Sequence, residues 1–436
     1  MEPLADDLLV MVMQYLDGPA LLACRRVCKR LAGLAVHRDV WRHRRLRYGD
    51  RSLCAALRLA PCLRELCLSL PLDGCAVRAA ATACAVEELR LNIFLAQTGS
   101  LEAAFVIRNQ AARGQLRHLT LVFDNDDEAE CSWLLFSTVA SLRKLQTLFV
   151  PRFPYDVDKP IFVPHSPVPA VSKPSLWRFE CELSSESEPF VNFILAGHAA
   201  TLEVVEISGV SSTFPQTTSL LTGMPRLRVL NCPLLPGMEA LASSTLLHTA
   251  NLVVISELRS AVQSAAEFLR RAKQLRFVIL HVQDVDACVD LVQALASSEP
   301  EDSSTPSHVR SLALRACYST TSLQQMFSSL ASLPSLRKLR IEDLDAEDVP
   351  CCAHEWLHWD SLQTLMTSNR DLRLLMTCDV PKFCEDERCG SCELECTDTS
   401  ECAGILKRVE VDRETDDDTD TEEGTVDEKS GVKKRV

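Results

Sequence analysis

The segment His354-Glu-Trp-Leu-His358 has the residue types of a zinc-dependent hydrolase. On a helix, imidazoles four residues apart share one face and can hold zinc, while the glutamate acts as general base toward a bound water. No H-x-x-G-x-x-H continuation follows, so a third ligand would have to be distant in the sequence. The alternative is a surface helix that carries two histidines and packs through Trp356 and Leu357. We favour this alternative and predict no catalytic residue and no enzymatic activity.

Six cysteines between Cys378 and Cys402 form a second group with metal-binding chemistry. Cys389-Gly-Ser-Cys392 has the short C-x-x-C turn that chelates zinc. The weak ligand candidates are Cys389, Cys392, Cys396 and Cys402. Their spacings fit no paired C-x-x-C module, so a structural metal, reduced cysteines in a disordered segment and a redox role all stay open. We predict no cofactor and no metal.

A short phrase of the form L-x-x-L-x-L recurs through most of the chain, as in Leu336-Arg-Lys-Leu-Arg-Ile341. Alternation of apolar and polar residues over six positions is typical of a half-buried strand. Copies begin at Leu63, Val86, Leu116, Val309 and Leu336, and looser copies begin at Leu145, Leu176, Leu202, Leu227, Leu247, Leu275 and Leu362. From Leu63 to Leu362 the eleven steps average about 27 residues, which is a leucine-rich-repeat period.

Helical stripes lie between these phrases, for example over residues 258–269, 288–295 and 322–330. Strand and helix in alternation predict an α/β solenoid over residues 51–375, an irregular leucine-rich-repeat horseshoe of about 12 repeats with strands inside. Two loops interrupt it. The segment 151–174 holds seven prolines and should be an extended insertion, and 297–306 is polar and acidic.

The C-terminal part of the chain differs in composition. We divide it into a cysteine-rich segment, 376–409, and an acidic tail, 410–436, which holds eleven acidic and five basic residues. Such a tail cannot bury enough apolar surface to fold, so we predict disorder there.

The net charge of −14 argues against binding to nucleic acid. No run of 18 apolar residues predicts a membrane span, and the acidic start, Glu2 to Asp7, is unlike a secretory signal. We therefore expect a cytoplasmic and/or nuclear protein with no membrane partner. Its 20 cysteines should be reduced, and those at apolar repeat positions, such as Cys67, Cys181 and Cys232, should act as small buried side chains.

The first 45 residues lack the repeat phrase and contain two apolar helical stripes separated by Asp17-Gly-Pro19. Residues 4–42 resemble an F-box, which carries Tyr-Leu, Leu-Leu, Val-Cys-Lys/Arg and Leu-Trp landmarks in this order. Here Tyr15-Leu16, Leu21-Leu22, Val27-Cys28-Lys29 and Val40-Trp41 occupy those places. Ala5 stands where the family usually has proline, and Leu31 where it usually has tryptophan. A helical cap on a solenoid is the alternative interpretation.

The resemblance implies a three-helix F-box at residues 1–45 and a substrate-recognition subunit of a Skp–cullin–F-box ubiquitin ligase. The F-box would bind a Skp-family adaptor, which is joined to a cullin, while the repeats bind an unknown protein substrate. The residues that match the motif, expected in folding and adaptor binding, are Leu4, Leu8, Leu9, Met13, Leu16, Leu21, Val27, Cys28, Leu31 and Trp41.

Substrate-binding candidates are polar residues that flank the leucines on the strands. They are Arg64, Arg90, Arg117, Arg310, Arg337 and Arg340, together with Glu65, His118, Glu206 and Lys338. Arginine suits an acidic or phosphorylated partner, although solubility alone would also explain it. The alternatives are a repeat scaffold without a ligase role and a zinc hydrolase built on His354 and His358.

Overall fold

A computed structural model describes most of the chain. The described residues are 4–72, 76–94, 98–124, 133–154, 162, 174–209, 214–254, 259–282, 285–297, 307–315, 320–342, 353–377 and 408–412. Within these ranges no helix is both long and apolar enough to cross a membrane.

Four short helices form the N-terminal part: α1 (Asp6–Gln14), α2 (Gly18–Cys24), α3 (Lys29–Leu34) and α4 (Arg38–Trp41). Three helices were expected. The fourth arises because the His37 ring accepts a hydrogen bond from the Asp39 N–H at 3.3 Å and begins a new helix. The indole N–H of Trp41 donates to the Ala35 carbonyl at 2.7 Å, so the buried ring also satisfies its polar atom.

One parallel sheet runs through the rest of the described chain, with its 14 strands in sequence order. The strands are β1 (Arg45–Arg47), β2 (Cys62–Leu70), β3 (Ala85–Phe94), β4 (His118–Asp124), β5 (Thr147–Val150), β6 (Arg178–Glu182), β7 (Val204–Ser208), β8 (Val229–Pro233), β9 (Thr249–Val254), β10 (Phe277–Val282), β11 (Ser311–Arg315), β12 (Lys338–Glu342), β13 (Arg373–Thr377) and β14 (Val409–Asp412). Strand β1 continues directly from the N-terminal helices and pairs with β2, so the two parts share one sheet.

Helices connect the strands. They are α5 (Leu53–Leu59), α6 (Gly99–Arg113), α7 (Trp133–Ala140), α8 (Glu188–His198), α9 (Pro215–Thr222), α10 (Arg259–Arg271), α11 (Val285–Ala296), α12 (Thr320–Leu330), α13 (Ala353–Trp356) and α14 (Asp360–Ser368), with 3₁₀ helices at Ala76–Ala80 and Met238–Ser243. Crossovers between parallel strands are right-handed, so successive helices lie on one side of the sheet. There α10 packs on α11, and α11 on α12. The arrangement is solenoid-like, as the strand–helix alternation predicted.

The repeat phrase works as expected because its apolar positions stack across strands. Leu66 lies beside Leu89, and Leu89 beside Leu119, while Leu68 lies beside Leu91 on the same side of the sheet. All are buried against the helices. The residues between them point to the other side, which no helix in the described ranges covers; we call this side the open face. Nine of the twelve predicted phrase starts lie two residues before a strand, and two more, Leu63 and Val86, are the second residues of β2 and β3.

The twelfth phrase start, Leu362, was predicted wrongly. Leu362 lies in α14, where Leu365 and Met366 follow it at helical spacing and all three are buried. The strand comes later, as β13, with Leu374 and Met376 in the apolar positions. A short apolar cluster fits both periods, and here the tertiary packing of α14 against α12 selects the helix.

The predicted boundaries of the C-terminal segments also need correction. Strand β14 pairs with β13, and the Leu374 N–H donates to the Arg408 carbonyl at 2.9 Å. Residues 410–412 are therefore not part of a disordered tail. They are drawn into the sheet because the free edge of β13 offers unpaired backbone groups. The remainder of the tail, 413–436, lies outside the described residues.

The proline-rich segment 151–174 is described only in part. Phe153 and Phe162 are buried, and Phe162 packs edge-on against Phe190 with ring centroids 5.4 Å apart. Phe136 stacks on Phe153 at 4.4 Å. These rings belong to the core of the solenoid, so the insertion contributes to packing at these two positions.

Candidate binding surfaces

Helix α1 is apolar on two opposite faces. Val10 and Met13 are buried inside the N-terminal helices. Leu8, Met11 and Val12 are about half exposed or more on the other side. The exposed apolar side chains here are Leu4, Leu8, Met11, Val12, Tyr15 and Val27; we call this set the apolar face. A helix that is apolar all round normally has both sides covered, so the apolar face has the character of an interface.

Polar contacts hold α1 in place and so fix the apolar face. The guanidinium of Arg44 donates to the carbonyls of Met13 at 3.0 Å and Leu16 at 2.5 Å, in the last turn of α1 and just after it. Arg44 also lies over the Trp41 ring at 5.5 Å, and burial lowers the pKa of its guanidinium. At the other end, Arg30 bonds to Asp6 at 2.6 Å. The orientation of α1 is therefore fixed by cations as well as by packing.

The structure sorts the ten residues expected in folding and adaptor binding. Met13, Leu21 and Trp41 are buried in the domain core, where they contribute to folding. Leu9, Leu16 and Leu31 are half-buried, and Leu4, Leu8, Val27 and Cys28 are exposed. Sequence matching did not select Met11, Val12 or Tyr15, although the helical spacing from Leu8 places Met11, Val12 and Tyr15 on its face.

The open face carries different charge arrangements at its two ends. Over β1–β8, cations pair with acids on neighbouring strands. Arg45 lies 3.3 Å from Glu65, and Arg178 lies 2.7 Å from Glu206. Two further pairs are Arg64 with Glu88 at 3.5 Å and Arg228 with Glu203 at 3.6 Å.

Acidic residues also crowd together in this first part. Glu180 lies beside Glu206 on the neighbouring strand. Burial and the charge of Glu206 raise the pKa of the Glu180 carboxyl, and Arg178 opposes the shift. Arg178 also stacks over Phe149 at 4.8 Å. Arg178 is therefore the cation that allows two carboxylates to lie side by side.

From β10 onward, Arg315 on β11 still pairs with Glu342 on β12, but several other cations have no acidic partner among the described residues. Six of them form a group that we call the basic edge: Arg276, Arg310, Arg337, Lys338, Arg370 and Arg373. Among the described residues none of the six forms an ion pair or a side-chain hydrogen bond. All six are exposed, and three of them, Arg310, Arg337 and Arg370, line a depression of about 430 Å³ together with Asp371.

The predicted substrate-binding arginines separate into these two environments. Arg310 and Arg337 lie in the basic edge. Arg64 is paired, and Arg340 lies 3.1 Å from Glu342, which also binds Arg315.

The other two predicted arginines lie in the first part of the sheet. Arg117 donates to the Lys144 carbonyl at 3.2 Å. Arg90 lines a depression of about 310 Å³ with Glu65 and Glu88. The prediction did not name Arg276, Arg370 or Arg373.

The segment His354–His358 does not provide the helical pair that a zinc hydrolase needs. Helix α13 ends at Trp356, so His358 follows the helix and does not lie one turn along it. Trp356 and Leu357 are buried, as expected, and Trp356 stacks on Trp359 at 5.3 Å. No group of three potential metal ligands occurs in the part of the chain that the structure describes.

The cysteines with metal-binding spacing, Cys389, Cys392, Cys396 and Cys402, lie outside the described residues. Cys181 and Cys232 are buried free thiols at apolar positions, and burial raises the pKa of Cys232 to about 12. Cys67 lies instead on the open face and is half-buried. Cys54 is disulfide-bonded, unlike the reduced state that we expected.

One buried histidine has a structural role. The Nδ1 atom of His198 lies 3.4 Å from the backbone nitrogens of Ser175 and Leu176, which donate to it. Burial lowers the pKa of His198 to about 4, because the ring cannot be hydrated when it is charged. His198 is therefore neutral and joins the end of α8 to the chain that enters β6.

Comparison with known proteins identifies the N-terminal helices. Residues 6–47 match the family model of F-box-like domains. No curated protein matches the chain. F-box domains typically bind Skp-type adaptors, and F-box proteins are generally adaptors rather than enzymes. The matched range contains α1–α4 and β1, so most of the apolar face lies within it.

Proposed function

We propose that this chain is the substrate-recognition subunit of a Skp–cullin–F-box ubiquitin ligase. The apolar face binds a Skp-family adaptor, the adaptor joins the chain to a cullin, and the open face of the sheet binds a protein target. The chain has no catalytic role in this account. We also propose that it works in the cytoplasm and/or the nucleus, where these ligases act.

The observation that carries this proposal is the exposure of α1. Val12 is 57% exposed on a helix whose opposite side already fills the domain core, and Tyr15, directly after this helix, is 87% exposed. Complete burial of one such side chain stabilises a complex by about 1.5–3 kcal/mol. Several of them on one helix supply enough apolar area for a stable interface, and the F-box-like match gives the class of partner.

The sheet supports the second half of the proposal. Its strand–helix period and its L-x-x-L-x-L phrases are those of leucine-rich repeats, and we interpret residues 51–377 as an irregular array of this kind. Such arrays bind other proteins along the strand side. The ligase would then work by proximity, because a target held on the open face has its lysines at high effective concentration near the ubiquitin-charged enzyme.

The test is capture of the Skp adaptor and the cullin by the full chain and by two matched variants. Leu8→Asp places a charge in the apolar face, and Leu246→Asp does the same at a distant site of similar exposure, 48% against 45%. An uncompensated charge in an apolar interface costs roughly 3 kcal/mol, so we expect capture by Leu8→Asp to fall about 100-fold. Leu246→Asp should behave like the unchanged chain. Equal capture by both variants would exclude the apolar face as the docking site.

Failure of the unchanged chain to capture the adaptor would exclude the ligase role itself. The repeats would then act as a scaffold. Substitution is preferable to removal of residues 1–45 in this experiment. Strand β1 and helix α4 pack on β2, so the truncation would also expose the first edge of the sheet.

A further inference from the structure

The basic edge is a regular structure. The Arg310 N–H donates to the Arg276 carbonyl at 2.8 Å, and the Arg337 N–H donates to the Arg310 carbonyl at 2.9 Å. The three residues are therefore direct neighbours immediately before three consecutive strands, β10, β11 and β12, which lie about 4.8 Å apart. Lys338 and Arg373 occupy paired positions one step further along β12 and β13. Six positive side chains thus lie within four neighbouring strands.

This arrangement opposes folding. Like charges on neighbouring strands repel each other and destabilise the sheet. The first part of the open face relieves the same problem with glutamates, as in the pair of Arg178 and Glu206. Among the residues that line the depression at the basic edge, Asp371 is acidic, and it also interacts electrostatically with Arg408. The six cations of the basic edge are therefore only partly compensated by the described residues around them.

Solubility does not account for the basic edge. The protein has a net charge of −14, so it is already far from electrical neutrality. A group of six cations on an acidic protein reduces the net charge and also costs stability. Binding of an anion accounts for both features, because the bound anion supplies counter-charges that the described residues do not.

We propose that the basic edge is a binding site for an acidic peptide segment of the target protein, with carboxylate or phosphate groups facing Arg276, Arg310 and Arg337. This proposal rests on the proposed function, since it takes the open face as the target-binding side. Guanidinium groups bind carboxylates and phosphates through two parallel hydrogen bonds, which gives directional recognition.

The geometry favours a short extended peptide over a nucleic acid. Alternate residues of an extended chain lie about 7 Å apart, so three or four acidic positions cover the width of the row from β10 to β13. Ser368 also lines the depression between Arg310 and Arg370, and its hydroxyl group can donate to the same anion. A long polyanion would extend from the basic edge toward the glutamate-rich strands β6 and β7, which would repel it.

The experiment is a titration of fluorescein-labelled peptides with the full chain, followed by fluorescence anisotropy. Three twelve-residue peptides share one sequence and carry glutamate, phosphoserine or glutamine at four alternate positions. We expect at least one of the two anionic peptides to bind, the glutamine peptide not to bind, and affinity to fall as salt rises. The tighter of the two anionic peptides identifies carboxylate or phosphate as the ligand group.

The control variants separate this site from general charge effects. The double substitution Arg310→Glu with Arg337→Glu should weaken peptide binding at least tenfold. Arg108→Glu with Arg113→Glu makes the same change of charge at exposed positions on α6 and should have little effect. Equal losses in both variants, binding of the glutamine peptide, or tighter binding of a single-stranded oligonucleotide of equal charge would overturn the proposal.

Adaptor capture is also measured for the variant with both Arg310→Glu and Arg337→Glu, so that the peptide site and the ligase role are tested separately. We expect it to be unchanged, because the apolar face lies at the opposite end of the sheet order. Normal capture together with undiminished peptide binding would reject only the peptide site. A chain that binds peptide but not the adaptor would reject only the ligase role.

Discussion

Arginine is frequent at both ends of the open face, but the residues that surround it differ. Over β1–β8, arginines pair with glutamates across neighbouring strands, and Arg178 keeps Glu180 beside Glu206. Over β10–β13, Arg276, Arg310 and Arg337 follow one another, and none of the three has an acidic partner among the residues that the structure describes. The first arrangement stabilises the solenoid, whereas the second costs stability and leaves charge available. The contrast separates a structural region from the binding region that we propose on the same sheet.

If this contrast holds, a fall in pH should destabilise mainly the first region, β1–β8. The pKa of His198 is about 4 in the folded chain and 6.5 in the unfolded chain, so the neutral ring contributes stability above pH 6.5. That stability is lost as the pH falls from 6.5 through 4, by at most about 3 kcal/mol. Urea denaturation across this pH range should show a steeper loss for the unchanged chain than for His198→Asn, whose side-chain oxygen can accept the same backbone hydrogen bonds. Equal slopes would contradict a buried neutral histidine.

Loss of a paired arginine should destabilise the first region. Arg178→Gln removes the ion pair with Glu206 and the contact with the Phe149 ring, so we expect a loss of about 1–2 kcal/mol in the free energy of unfolding. Arg64→Gln is the matched control, because its 3.5 Å pair with Glu88 is more exposed and should be worth less than about 0.5 kcal/mol. Equal effects in thermal denaturation would show that Arg178 has no special role.

Loss of an arginine from the basic edge should instead increase the stability of the fold. Arg310→Gln relieves repulsion from Arg276 and Arg337, and we expect a gain of about 0.5 kcal/mol in stability. Arg340→Gln, one strand further on, removes a cation that pairs with Glu342 at 3.1 Å and should not stabilise the chain. Denaturation midpoints of the two variants, measured at low salt, provide the comparison. Destabilisation by Arg310→Gln would indicate a structural function for the basic edge.

Much of the solenoid could be predicted from the sequence because its strands follow a local rule. The alternation in L-x-x-L-x-L fixes which residues face the helices, and eleven phrase starts locate their strands. Leu362 was placed wrongly because Leu362, Leu365 and Met366 also fit a helical period. Strand β14 was missed because its pairing depends on the free edge of β13, which is not a local feature.

The candidate surfaces were less predictable than the fold. Motif matching located the F-box-like helices, but α1 is apolar all round, so its sequence alone does not show which side is buried. The arginines were recognised as strand residues. Whether each one is neutralised depends on acids that lie 24 to 28 residues away, as for Arg64 and Arg178. That information appears only when the strands are aligned side by side.

Hydrogen–deuterium exchange of the full chain, alone and with the Skp adaptor, tests the central claim most directly. The account predicts that the adaptor slows exchange in residues 4–28, which hold the apolar face, and leaves the basic edge unchanged. The same measurement on Leu8→Asp should show no such protection. Protection on the open face in place of α1, or no protection anywhere in the presence of excess adaptor, would contradict the assignment of this chain as an F-box adaptor.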